Sequence, residues 1–127
     1  MKLLVIAVSV YLLSVSCNIA GGGGSTQIAP EKMGTNERAV IKLELAVWGA
    51  GGPIKGRYTD VVCYYHLVGE NGYQALRADP IAKDERHEVY EFTIPPVGTT
   101  GEIEYYFEMK LDGHLSRVNG INRIRVE

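Results

Sequence analysis

The chain predicts an all-β domain, a two-layer sandwich of about seven antiparallel strands, on three observations. Beyond Asn36 apolar residues recur at every second position in most segments, the period of a strand with one buried and one wet face. Turn dipeptides and Gly/Pro clusters cut these segments short, as strands require. No stretch carries a convincing helical apolar repeat.

The elements follow in order. A weak first strand is expected near Gln27 to Lys32. From Arg38 to Val47, Ile41, Leu43, Leu45 and Val47 alternate with Lys42 and Glu44, and the loop Gly49 to Gly56 ends the strand with four glycines and Pro53. From Thr59 to Leu67, Val61, Cys63, Tyr65 and Leu67 point inward, with Asp60, Val62, Tyr64 and His66 opposite. Cys63 is thus read as a small buried hydrophobe. Gly69-Glu70-Asn71-Gly72 is a hairpin-type turn into a short strand, Gly72 to Arg77, and Asp79-Pro80 to Arg86 reads as a polar connection. The parity switches between His87 and Pro95, where Tyr90, Phe92 and Ile94 point in, and Pro95-Pro96 stops the strand. Glu102 to Leu111 is the clearest case: Ile103, Tyr105, Phe107, Met109 and Leu111 on one face, Glu102, Glu104, Tyr106, Glu108 and Lys110 on the other. Asp112-Gly113 and Asn119-Gly120 are turn dipeptides, and Ile121 to Glu127 closes the set with Ile124 and Val126 inward. One-faced strands need a facing layer, hence the sandwich.

Composition limits the function classes. The chain has 127 residues, 46% hydrophobic and 22% charged, with a formal charge of −2. That is one domain with an ordinary core. No run of Lys and Arg forms a phosphate-binding groove, so no nucleic-acid partner is expected.

The order and character of the strands resemble a fibronectin type III domain within the immunoglobulin-like group. Leu43-Glu44-Leu45-Ala46-Val47-Trp48 with Gly51-Gly52-Pro53-Ile54-Lys55-Gly56, Val61 to Val68 with Gly72-Tyr73-Gln74-Ala75-Leu76, and Tyr90 to Pro95 with Glu104 to Glu108 carry the resemblance. It covers roughly residues 37–127. It implies that the Thr59–Leu67, Glu102–Leu111 and Ile121–Glu127 strands are sheet neighbours, and that Tyr105 is the family's corner tyrosine. Trp48 is out of phase with Leu45 and Val47 and departs from the family pattern.

The first residues read as a targeting segment. Lys2 precedes an apolar run from Leu3 to Leu13 in which only Ser9 is polar, too short for an ordinary membrane span. Leu13-Ser14-Val15-Ser16-Cys17 resembles the lipobox of bacterial lipoproteins, with the leucine one step further from the cysteine than is usual. The resemblance implies a signal peptide over residues 1–16, acylation (palmitate among the chains) on Cys17, and a membrane partner through that anchor. Asn18 after the cysteine is similar to the outer-membrane class. Ser14 and Ser16 equally suit an ordinary signal peptidase, which would leave a secreted or periplasmic protein. The Gly-rich segment would act as a flexible tether over residues 17–35, about 20–25 Å in reach. The sandwich domain then occupies residues 36–127.

Chemistry-bearing motifs are sparse. His66, His87 and His114 stand on separate segments, away from metal-ligand spacing, and no metal or cofactor is expected. There is no Gly-x-Ser-x-Gly, and the Gly49 to Pro53 stretch lacks a phosphate loop's ending. Cys63 has no visible activating partner. The expectation is a non-catalytic binding or structural module of the cell envelope. A carbohydrate-binding module or an accessory domain to an envelope hydrolase is the alternative. The candidate binding face joins Tyr64 and His66, Tyr106, and Arg123 and Arg125, because aromatics flanked by charges suit recognition of a protein or a glycan. Cross-strand pairing alone would also account for such residues. Trp48, beside the Gly49–Gly56 loop, is a second candidate.

Overall fold

Alternation along the chain decides the fold. Residues 103, 105, 107 and 109 are all 2% exposed or less, while 102, 104, 106 and 108 are only half-buried and Lys110 is exposed. The computed structural model describes residues 25–49, 52–53 and 58–127, with Trp48, Gly49, Gly52, Pro53 and Asn119 described by their backbone alone. Among these residues eleven strand segments and no helix occur: β1 (Ser25–Ile28), β2 (Lys32–Met33), β3 (Ala39–Ala46), β4 (Trp48–Gly49), β5 (Gly52–Pro53), β6 (Tyr58–Leu67), β7 (Gln74–Arg77), β8 (Ala82–Lys83), β9 (His87–Ile94), β10 (Gly101–Leu111) and β11 (His114–Val126).

The protein is an all-β sandwich. One sheet runs β1-β3-β9-β8 and the other β2-β11-β10-β6-β7, with β4 and β5 as a separate two-stranded ribbon. The seven longer strands correspond to the seven expected; the four two-residue segments are additions. Pairing is antiparallel except between β2 and β11, which run parallel. An all-antiparallel sandwich was expected, so this pair is a correction. It arises because the first strand changes sheets: β1 pairs with β3, the chain crosses at buried Ala29, and β2 then lies along Arg125–Val126.

That crossing also moves a boundary. The tether expected to run to residue 35 has already joined the sheet at Ser25, where Ser25 and Gln27 are buried. Their polar side chains make this segment look like linker in the sequence, yet their alternate positions face the core.

The core lies between the inward faces. Phe92 of β9 meets Phe107 of β10 across the layers at 5.6 Å between ring centroids, and Tyr105 stands edge-on to Phe107 at 5.8 Å. Ile41, Leu43 and Leu45 from β3, Ile94 from β9 and Ile124 from β11 complete it. Tyr105 is buried and its hydroxyl accepts from the Gln27 side-chain amide at 3.5 Å, so it bonds the facing sheet's side chain.

Two irregularities break the alternation. Between Glu108 and Lys110 the register with β6 shifts by one residue, and Asp60 takes a left-handed φ of 52°. This bulge reverses the parity, so Tyr58 turns inward and donates its hydroxyl to the Ala46 carbonyl at 3.0 Å. In β11, Phe107 pairs with Val118 and Tyr105 with Asn122, leaving residues 119–121 opposite Tyr106 alone. The expected Asn119-Gly120 turn is therefore a bulge inside one 13-residue strand. Asp112-Gly113 does form the β10–β11 turn: Leu111 pairs with His114, and φ values of 54° and 84° fit a turn that needs positive φ twice.

The polar connection at Asp79–Arg86 contains β8. Asp84 Oδ1 accepts the backbone N–H groups of Arg86 and His87, each at 2.7 Å, and these bonds hold its carboxyl below the ordinary carboxylate range.

Burial pushes the Cys63 thiol up to about 12. Raised in this way, the thiol contributes stability below its ordinary pKa that is lost only as pH climbs toward 12. Cys63 should resist an aromatic disulfide reagent at about pH 8 in the native chain and react fully in denaturant; rapid native labelling would contradict the burial. Truncating Phe107→Ala should cost about 3–5 kcal/mol in chemical denaturation, and a cost under about 1 kcal/mol would mean the inter-sheet packing described here is wrong.

Candidate functional site

The outer face of the β7–β6–β10–β11 sheet gathers most of the predicted residues. Tyr64 and Tyr106 are cross-strand partners, and their rings stack at 5.2 Å with planes 25° apart. His66 is opposite Glu104. Arg123 is opposite Glu104 from the other side. Arg125 lies apart: its Nε donates to Glu127 at 2.5 Å, and Lys32 Nζ stands 3.7 Å from the same carboxylate. Backbone pairing places Trp48 against Pro53. Its side chain, like all of Cys17, lies outside the described residues.

Two members were not anticipated. Tyr73, just before β7, stacks on His66 at 3.9 Å and meets Tyr106 edge-on at 5.1 Å. Arg117 of β11 lies over the Tyr106 ring, with Cζ 4.4 Å from its centroid. The hairpin register of Gly69–Gly72 could have found Tyr73, because extending Tyr65↔Gln74 carries Tyr73 beside His66. Arg117 was hidden because the Asn119-Gly120 signal reads as a strand end.

Tyr106 is thus enclosed by Tyr64 from β6 on one side and Arg117 from β11 on the other. A ring with both faces covered is a poor platform for a sugar, whose stacking needs an open face. It is a good rigid post, presenting its edge and hydroxyl. Burial, then the neighbouring Glu108 charge, holds the Tyr106 phenol above its ordinary pKa, so it remains a neutral donor and acceptor.

Alternation put the acids of β10 on the strand's outward face. There they brace the cluster. Glu104 accepts from His66 Nε2 at 2.9 Å and from Arg123 Nη2 at 2.8 Å. Glu108 accepts from Arg117 Nη2 at 2.9 Å. Glu104 is held below the ordinary carboxylate range, first by His66 and then by Arg123. A carboxyl so depressed is ionised and occupied, the reverse of a general acid poised to donate. His66 Nδ1 is buried with no hydrogen-bond partner among the described residues. With Nε2 engaged by Glu104, the ring is fixed by one nitrogen and by its stack on Tyr73.

Val62, expected outward and wet, is 3% exposed. It sits on the outer side of β6 beneath a depression formed with Tyr64, Arg77 and Leu115. Among the described residues, no group of three or more His, Cys, Asp or Glu is placed to hold a metal ion.

No family model matches the chain, and no curated protein matches it either. Solved structures do. A DUF4426 family protein from Pseudomonas aeruginosa is similar with a TM-score of 0.51 at 9% identity, over 87% of this chain and 96% of that one. The copper-bound P19 protein of Campylobacter jejuni is similar with a TM-score of 0.51 at 6% identity, over 87% of this chain and 90% of that one. At such identities the likeness is one of fold, a β-rich architecture shared without shared sequence.

Because the Glu104 carboxyl is depressed, its contribution to stability is present above the ordinary carboxylate pKa and lost as pH falls through and below it. The melting temperature should decline from about pH 5 to about pH 3, and Glu104→Gln should flatten that decline, read by circular dichroism melts. Superimposable pH profiles for the two proteins would refute the His66–Glu104–Arg123 arrangement.

Proposed function

We propose that this chain is a lipid-anchored, extracytoplasmic module of the bacterial cell envelope that binds a protein partner through the outer face of β7–β6–β10–β11 and performs no chemistry itself. One observation carries the reading: Tyr64, Tyr73, Tyr106 and Arg117 converge on a single sheet face, braced by Glu104 and Glu108. Tyr and Arg are the residues enriched where proteins meet, since they offer contact area with few degrees of freedom to lose. The partner is a protein in preference to a glycan, because Tyr106 keeps no ring face open.

Strand order supports an immunoglobulin-like type. The sheets β1-β3-β9-β8 and β2-β11-β10-β6-β7 map onto strands A-B-E-D and A′-G-F-C-C′ of that fold, with the sheet-switching first strand supplying A and A′. The anchor rests on Leu13 to Cys17 and the glycines that follow. A diacylated or triacylated cysteine would hold the domain at the membrane, since each buried methylene contributes about 0.8 kcal/mol. The copper named for the Campylobacter protein is not carried over, since among the described residues no group of three or more His, Cys, Asp or Glu is placed to hold a metal ion.

Tyr64→Ser and Tyr106→Ser should each fold and each lose crosslinking to an envelope protein that wild type captures. Capture that survives in both would dismiss this face, and loss of polysaccharide binding in its place would favour the carbohydrate-binding reading. Cys17→Ala should abolish incorporation of labelled palmitate and move the protein to the soluble fraction. Unlabelled wild type would remove the anchor.

A further inference from the structure

Beside the tyrosine cluster the outer face holds a depression of about 340 Å³. Tyr64 and Leu115 form its apolar sides and Val62 its base. Val62 is 3% exposed and Leu115 is 67% exposed, so the bottom is nearly dry and the rim offers bare hydrocarbon. The bulge at Asp60 lies on its edge. The volume is at the lower end of the roughly 300–1,000 Å³ typical of ligand pockets. One residue fills such a space; a helix or an extended strand does not.

The charges are unevenly paired. Lys110 Nζ is 3.6 Å from Asp60, and Glu108 is held by Arg117 at 2.9 Å. The guanidinium of Arg77, the remaining charged group of the lining, makes no ion pair or hydrogen bond with any described residue. Asp79 lines a neighbouring cavity with Arg77 and Asp60 without reaching ion-pair distance of that guanidinium. One uncompensated cation therefore flanks an apolar base. A guanidinium presents a planar fork of donors that matches a carboxylate with two parallel hydrogen bonds.

The structure assigns to this depression the C-terminal residue of a partner polypeptide, its aliphatic side chain on Val62, Tyr64 and Leu115 and its terminal carboxylate on Arg77. The assignment rests on the reading of this face as a protein-binding surface and names which part of the partner it takes. A chain terminus is where an apolar side chain and a carboxylate leave the same carbon; an internal Asp or Glu brings the charge without the hydrocarbon. The residues preceding that terminus have a place to lie, because Arg77 belongs to β7, the outer strand of its sheet, and an outer strand can accept an added one along its edge.

Nuclear magnetic resonance titration of the isotopically labelled full chain tests this. The probes are the peptide Gly-Ser-Ala-Leu with a free carboxylate, its C-terminal amide, and isovalerate. The free peptide should shift the resonances of Val62, Tyr64, Arg77 and Leu115. Amidation should weaken binding about tenfold or more, and Arg77→Gln should do the same to the free peptide, as loss of a charge-assisted pair requires. Isovalerate should bind at least about tenfold more weakly than the peptide. Equal affinity for acid and amide, equal affinity for isovalerate and peptide, or no shift at millimolar peptide each overturns the assignment. Envelope-partner capture unchanged in Arg77→Gln but lost in Tyr64→Ser would also overturn it, and would leave the binding face standing.

Discussion

The contact of Phe92 with Phe107 between the two layers sets what every other side chain can do. Each ring is essentially without solvent exposure, and each lies on a strand whose neighbours at two-residue intervals are buried with it. Once those rings are committed inward, parity commits Tyr106 and Glu104 on β10 outward. The outer tyrosine face is thus a consequence of the core, since a one-residue slip would exchange the two sets entirely.

Where parity would otherwise run on uniformly, two bulges interrupt it. Residues 119–121 oppose Tyr106 alone, which lets Arg117 and Arg123 flank that position on the same face. At Asp60 the extra residue turns Tyr58 into the core and leaves Val62 at the base of a depression. Bulges re-aim side chains at the cost of local pairing. Here one falls on β6, which carries Tyr64, and the other on β11, opposite Tyr106 of β10.

Electrostatics on this face is a matter of bracing. Glu104 and Glu108 hold His66, Arg123 and Arg117 around the rings, so the aromatic side chains are fixed in place by their neighbours. Exposed ion pairs contribute little to stability by themselves, and their role here is to position. The likeness to the Pseudomonas and Campylobacter structures at 9% and 6% identity fits this division. A sandwich demands only alternation and turns, so its outer faces are free to diverge.

Much was legible in the chain. Alternation in Glu102–Leu111 and in the segments around Ile41, Cys63 and Phe92 placed the core, the two layers and the outward set of Tyr64, His66, Tyr106 and Arg123, because each of these signals is local. Asp112-Gly113 was readable for the same reason, as the two residues themselves adopt the positive φ that the turn needs. Tertiary structure decided the rest: that the sheet begins already at Ser25, that Asn119-Gly120 is a bulge, that Arg125 leaves the cluster for Glu127, and that Tyr73 and Arg117 join it. These depend on which strand lies alongside and in what register, and pairing between residues distant in the chain leaves no mark on either partner's own neighbours.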